Sequence, residues 1–406
     1  MGLSSSFVTI EKGLCVGLVL DALVGDPRRG HPVAAFGRAA SALERRLYAD
    51  SRARGAVFAA TCVLGAAGLG FAADAVVRST AARTGRTGRC RPRRLDRTSD
   101  RAGAAGAAGA AAVGSAGSAL AAACPDRAVS AATGPAENAS TAAGPDRATS
   151  AATDLVRDAS AAGGPTRAVV TAVSTWAVLG GTSLGREGVA MAVALEAGDV
   201  EAARRRLPHL CGRDPSALDA KELARATVES IAENTSDAAV APLFWGSVFG
   251  VPGLLAYRAV NTLDAMVGHR SPRYLRFGWA AARLDDAANW APAQLTGLLT
   301  VVCAPLVGGS PRAAYAVLRR DGAAHPSPNA GRCEAAFAGA LGVRLGGVNV
   351  YGNRVEHRPE LGDGRAAEPY DIRRAVRLSR AVTVASAVVT VGARAAVRAG
   401  WRRLRR

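Results

Sequence analysis

Three acids in one short stretch open the chemical reading of this chain. In "ESIAENTSDAAVAPLFWG", residues 229–246, Glu229, Glu233 and Asp237 recur at every fourth position. On a helix that spacing sets them along one face, where like charges repel by about 0.2–0.5 kcal/mol per pair. Asn234 and Thr235 add oxygen donors between them. Carboxylates mixed with amide and hydroxyl oxygens suit Mg²⁺, which takes a few such groups together with water and a substrate phosphate. The same residues also suit a solvated helix end, with Ser236 or Asp237 capping an apolar helix that begins near Ala239.

Further polar islands follow. In "YRAVNTLDAMVGHR", 257–270, Asn261 and Asp264 share a helical face, with Arg258 one turn before Asn261. Such groups bind substrate or act as polar glue between packed helices. "FGWAAARLDDAANWAP", 277–292, sets Asp285, Asp286 and Asn289 at the mouth of an apolar window, where charges are costly and commonly functional. "HPSPNAGRCEAAFAGALGVRLGG", 325–347, has His325, Ser327 and Asn329 ahead of an Ala-Gly turn and Glu334. A glycine-bearing turn feeding a helix is a ready anion site. "DALVGDPRRGHPVAAFGR", 21–38, carries Asp26 and His31 beside Arg28 and Arg29, but a lone His does not identify a base. These islands together describe a membrane enzyme that handles a phosphorylated substrate with Mg²⁺. They leave the reaction open, and a Mg²⁺-dependent membrane prenyl- or phosphotransferase fits them too.

The elements that must position these residues are apolar helices. Windows of spanning length, about 20 residues, lie at 55–77, 168–185, 238–260 and 288–309, with weaker ones up to Gly25 and at 381–397. From 186 to 237 the periodicity is helical and soluble in character, and "DPSALDAKEL" reads as a helix start. Gly, Pro and Asn between 310 and 370 predict a long functional loop. The segment 79–165 is Arg-rich at first and then a drifting twenty-residue repeat, "PDRAVSAATGPAENASTAAG" and "PDRATSAATDLVRDASAAGG". It has no apolar face, so it reads as a disordered insert.

Hydrophobic residues make up 49% of the 406 positions but aromatics only 5%, which suits small-residue membrane helices better than a soluble core. The formal charge of +18 is almost all arginine. Those arginines cluster in 83–101 and at the "RAGWRRLRR" tail without interleaved aromatics, so anionic lipid explains them better than nucleic acid. The seven cysteines (15, 62, 90, 124, 211, 303, 333) form neither a CxxC nor a His-bearing zinc pattern, and a reduced compartment follows. The N-terminal apolar run lacks a basic n-region and is expected to be retained. The expected fold is all-α and polytopic. It divides into N-terminal membrane helices (1–78), the insert (79–165), a catalytic core (166–380) and a C-terminal helix with basic tail (381–406).

In sequence and order, "DALVGDPRRGHPVAAFG", "ESIAENTSDAAVAPLFWG", "YRAVNTLDAMVG", "FGWAAARLDDAANWAPAQLTGLL" and "SPNAGRCEAAFAGALGVRLGG" resemble the CobD/CbiB family of cobalamin biosynthesis. The resemblance covers roughly 10–78 and 166–365. It implies an adenosylcobinamide-phosphate synthase of the cell membrane that joins a propionate carboxylate of adenosylcobyric acid to aminopropanol or its phosphate. ATP is the implied cosubstrate and Mg²⁺ the metal. AmpE-like membrane regulators are distant relatives and supply a non-enzymatic alternative.

Carried over residue by residue, Glu229, Glu233 and Asp237 would hold Mg²⁺–ATP, with Asn234 as an added ligand. Asp285, Asp286 and Asn289 would form a second metal or amine site, Asp285 as the ligand. Asn261 and Asp264 would line the shared pocket, and Ser327, Asn329 and Glu334 would contact phosphate or the corrinoid amides. Where family members continue "SPNAG" with Trp-Pro-Glu, this chain has Arg332-Cys333-Glu334. If every apolar window spanned, 229–237 and 261–289 would face opposite sides of the membrane. The glycines and prolines of 238–260 and 288–309 therefore predict broken or re-entrant segments, with all motifs on one face, the cytoplasmic one.

Overall fold

The computed structural model describes residues 2–26, 31–87, 165–351 and 354–404. Apart from its helical ends, the low-complexity insert lies outside the described residues, as do the Arg28 and Arg29 of the first motif.

The chain begins with α1 (Gly2–Val24), α2 (Pro32–Leu47) and α3 (Arg52–Thr87), and after the insert come α4 (Pro165–Val178) and α5 (Gly181–Glu196). Gly13 and Gly17, one turn apart on α1, let it close on α4. A Cβ on Gly13 would stand 2.8 Å from the Ala168 carbonyl oxygen, and one on Gly17 2.6 Å from that of Ala172. Small residues at this spacing are how membrane helices bring their backbones together.

A short α6 (Val200–Arg206) leads to α7 (Ala220–Thr235). The predicted start of α7 is a capping box. Asp219 accepts from the Glu222 N–H at 2.8 Å, and the Glu222 carboxylate accepts from the Asp219 N–H at 2.9 Å. Past Thr235 the helix widens into a π-type turn, Ser236–Val240, with the Ala241 N–H bonded to the Ser236 carbonyl, then continues as α8 (Ala241–Phe249). Gly250 stops it at φ 69° and ψ −146°, a conformation essentially confined to glycine. From there α9 (Val251–Leu263) runs back and ends in a second π-type turn, Asp264–Gly268. The 238–260 window is thus a broken hairpin.

The other window expected to break does not. α10 (Trp279–Cys303) is continuous through Pro292. Beyond it come α11 (Pro311–Asp321), α12 (Ala330–Leu341), β1 (Val343–Tyr351), β2 (Arg354–Leu361), β3 (Arg365–Ala366) and α13 (Pro369–Leu404). The predicted long loop is therefore two helices and a small sheet of order β2-β1-β3, antiparallel for β1–β2 and parallel for β1–β3. Its glycines sit at turns and at the irregular register between Leu345 and Gly347, which is why composition alone reads as loop.

Among the described residues, four helical stretches are long and apolar enough to cross a membrane: Arg52–Val77, Thr166–Glu196, Trp279–Val307 and Pro369–Leu404. The fold is that of an all-α polytopic membrane protein. One core joins α5, α7, α12, the sheet and α13 through Met191, Leu223, Ile231, Phe337, Leu345, Leu361 and Leu378. A second packs Phe58 of α3 on Phe277 at a ring separation of 5.1 Å, with Leu263 beneath. Each such side chain contributes about 1.5–3 kcal/mol on burial.

Candidate active site

The reversal at Gly250 lays α9 beside the end of α7, so Asn261 donates from Nδ2 to Asp237 Oδ2 at 3.3 Å. Asn261 also lies beside Asp285 of α10, and one amide thereby stands between carboxylates from two elements. Tyr257, one turn before Asn261, donates its hydroxyl to Asn289 Oδ1 at 2.8 Å and to the Asp237 carbonyl at 3.2 Å. Asn289 in turn donates to Asp285 Oδ2 at 3.0 Å. Trp245 ties α8 to α10 by donating to the Ala288 carbonyl at 2.9 Å. The islands at 229–246, 257–270 and 277–292 thus meet because a glycine turns the chain around.

The island at 325–347 closes the site. Glu233, Ser236, Asp237, Asp285, Asn289, Ser327, Asn329, Ala330 and Cys333 line a cleft with about 280 Å³ of open space. Asn329 directly precedes α12 but does not cap it. Its Nδ2 donates to the Asp286 carbonyl at 2.8 Å, while Ser327 Oγ accepts from the Ala330 N–H at 3.2 Å. Asp285 Oδ1, Ser236 Oγ and Asn329 Oδ1 have no hydrogen-bond partner. Buried polar atoms left in that state are expensive and await a ligand.

Electrostatics follow from enclosure. Burial pushes the Asp237 carboxyl well above the usual carboxylate range, and Asp285, Glu233 and Asp264 push it further while Arg258 opposes. Burial also raises Asp264, to about 6, with Asp286 and Glu233 adding to the push. Glu233 is raised by loss of bulk water around it, against the pull of Arg358 and Arg213. Its side chain nevertheless opens to solvent, so its shift is weaker than the walls alone imply.

The remaining predicted residues stand apart from the cleft lining. Glu229 is 1% exposed and fully engaged: Oε1 accepts from the Gly346 N–H at 2.6 Å and from Arg225 at 3.4 Å, and Oε2 pairs with Arg213. It clamps the sheet and Arg213 to α7. Asn234 turns back to Ser230, donating to its carbonyl at 2.9 Å. Asp286 pairs with Arg283 at 3.6 Å and lends the site its carbonyl. Asp264 lies beyond the cleft lining and acts on it through its charge. Glu334 is buried behind the cleft, both oxygens without hydrogen bonds, and His325 Nε2 stands 3.9 Å from its Oε1. Burial raises its carboxyl well above the usual range, with Glu229 and Glu233 adding to the effect.

Sequence reasoning gave no site role to Ser236, Tyr257, Cys333, Arg213 or Arg358, and named His325 without assigning it one. Ser236 lay inside the ENTSD stretch and Tyr257 at helical spacing from Asn261, so both were within reach. Nothing local marks Arg213 or Arg358. His31 caps α2, its Nδ1 accepting from the Val33 N–H at 3.1 Å.

Among the described residues no three or more His, Cys, Asp or Glu side chains are grouped closely enough to hold a metal by themselves. The cleft still fits Mg²⁺. Its open donors are oxygens, and this ion is held by one or two carboxylates with water and substrate phosphate completing the shell. Glu233, Asp237 and Asp285 are the carboxylates in place for it.

Comparison with known proteins bears on the whole chain. A family model described as CobD/Cbib protein matches residues 14–90 and 111–379. "Cobalamin biosynthesis protein CobD" of Mycobacterium tuberculosis (strain H37Rv) is 45% identical over 388 residues, covering 96% of this chain and 97% of that protein. Its namesake in Geobacter metallireducens is 52% identical over 195 residues, 48% of this chain and 61% of that protein. The Rhodobacter capsulatus protein of the same name is 46% identical over 213 residues, 52% of this chain and 67% of that protein. No solved structure matches. With the family model matching most of its length, the chain belongs to the CobD/CbiB family of cobalamin biosynthesis.

Proposed function

We propose that the chain is an ATP-dependent amide ligase that joins a propionate carboxylate of adenosylcobyric acid to 1-amino-2-propanol or its phosphate. The carrying observation is the cleft in which Glu233, Asp237 and Asp285 converge with the amides of Asn289 and Asn329 and the hydroxyl of Ser327. Its enclosed part holds only about 30 Å³, far less than a whole small-molecule site. A corrin macrocycle does not fit there, so in this reading the ring stays outside and one propionate arm enters.

A free carboxylate is a poor electrophile. In the first step a carboxylate oxygen attacks the γ-phosphorus of ATP, the P–O bond to ADP breaks and an acyl phosphate forms. In the second, the amine nitrogen attacks the acyl carbon, the C–O bond to phosphate breaks, and the nitrogen loses a proton as the amide forms. Mg²⁺ held by one or two of Glu233, Asp237 and Asp285 would offset the negative charge of the phosphates. The side chains supply the rest. Asn289, Asn329 and Ser327 orient the reacting groups. A carboxylate lining the cleft is placed to take the amine's proton. The four apolar stretches support a cell-membrane location, and the need for ATP supports a cytoplasmic face for the cleft.

The test is amide formation by the membrane-inserted protein with adenosylcobyric acid, ATP, Mg²⁺ and either amine, read by chromatography of the corrinoid. The reading expects a new corrinoid that requires ATP. Inserted, folded protein yielding no product with either amine would overturn it.

A further inference from the structure

The geometry points to His325 as a positioning residue: its Nδ1 holds the turn that aims Ser327 and Asn329 into the cleft. Nδ1 accepts the Ser327 N–H at 3.0 Å. An acceptor nitrogen carries no proton, so the ring proton lies on Nε2, which faces Glu334 and has no hydrogen-bond partner. The ring is buried. A Cβ on Gly331 would stand 3.2 Å from His325 Cγ and 3.0 Å from the Gly322 carbonyl oxygen. The first turn of α12 therefore lies directly against this ring because residue 331 has no side chain.

The local chemistry is that of an Asx-turn, in which a side-chain acceptor bonds the backbone N–H two residues on. Pro326 supports it by disfavouring a helical backbone at residue 325. The chain uses the same device at His31-Pro32-Val33, where Nδ1 accepts the N–H two residues on at 3.1 Å. There the histidine only starts a helix. At His325 the bond fixes Ser327, whose Oγ caps Ala330, and thereby Asn329, whose Nδ2 reaches the Asp286 carbonyl. Ser327 and Asn329 both line the cleft, and neither is placed by helix hydrogen bonding of its own side chain to α12 alone.

The two ring nitrogens can be separated by substitution. In His325→Asn the amide oxygen occupies the place of Nδ1 and keeps the turn bond while losing Nε2. His325→Gln keeps a group near Nε2 and loses the turn acceptor. His325→Ala loses both.

The kinetic arm rests on the ligase reading, so a second readout is independent of it: alkylation of Cys333 by N-ethylmaleimide, followed by peptide mapping in the full-length protein in lipid nanodiscs. Cys333 is 1% exposed at the back of the cleft, and a loosened turn uncovers it. His325→Ala and His325→Gln are expected to lower kcat by about 10–100-fold, as misplacement of orienting groups does, and to speed Cys333 alkylation several-fold. His325→Asn should restore both towards wild type. Equal impairment of His325→Asn and His325→Ala would overturn the proposal, as would wild-type behaviour of His325→Gln or a Cys333 rate unchanged across the series. Should His325→Ala fail to fold, the Asn and Gln variants carry the comparison. If wild type makes no amide, the ligase reading fails, while the order of Cys333 rates still decides the role of His325.

Discussion

Removing the Glu229 side chain tests whether the first acid of ENTSD's helix is scaffold. In Glu229→Ala, Arg213 loses its carboxylate while its side chain is only 6% exposed. Removing one partner of a buried ion pair costs about 3–5 kcal/mol. The Gly346 N–H also loses its acceptor, worth about 1–3 kcal/mol if no water reaches it. Arg225 suffers less, because it keeps the carbonyls of Gly346 and Val348 and the Asn349 Oδ1. These losses share partners and do not add, so about 3–5 kcal/mol is the expected total, or a fall in Tm of roughly 6–10 °C at about 2 °C per kcal/mol. Glu229→Gln retains an acceptor for Gly346 and should fall between. Thermal unfolding of the full-length protein in detergent, beside turnover of the fraction still folded, reads both properties. Unchanged Tm with abolished turnover in both variants would refute the scaffold role and return Glu229 to the chemistry.

Asp285→Asn preserves the contact with Asn289 but removes a cleft charge. Turnover should drop by about 10²–10³-fold, the usual cost of one electrostatic group at a reacting centre, with Tm unchanged or higher, and wild-type turnover would contradict the assignment. Asp264 titrates at about 6 in the folded protein, above its ordinary value near 3.9. The folded state therefore binds this proton more tightly than the unfolded state, and stability falls as pH rises through that range. Asp264→Asn should raise Tm at pH 8, and the gain should fade as pH drops through about 6; a pH-independent difference would count against it. Gly250→Val places a branched side chain at φ 69°, costing about 1–3 kcal/mol and separating Asp237 from Asn261. Both Tm and turnover should fall, and loss of neither would show that the turn tolerates a side chain.

How much of this was legible in the sequence depends on distance along the chain. The α7 capping box, the breaking of 238–260 and the convergence of Asp237, Asp285 and Asn289 follow from local chemistry: a cap acid, a glycine and helical spacing. The two π-type turns did not show, since opening a helix to an i→i+5 bond at Ser236–Val240 is decided by what packs beside it. Glu229 looked like its neighbours because the partners that set it apart lie at Arg213 and, 117 positions away, at Gly346. The strands after α12 were hidden by their own glycines and prolines, which belong to a bulge and turns. His325 was visible as a residue but not as a turn acceptor, because His-Pro has no fixed meaning until the following N–H is placed.

The central claim is that the substrate carboxylate is activated by phosphoryl transfer in the Asp237–Asp285 cleft. Adenosylcobyric acid labelled with ¹⁸O in the reacting carboxylate, turned over with ATP and the amine, tests it directly. The account predicts that one labelled oxygen per amide formed appears in inorganic phosphate, and that Asp285→Asn abolishes the transfer. Amide formation with the label in AMP, or in no phosphorus compound, would contradict it.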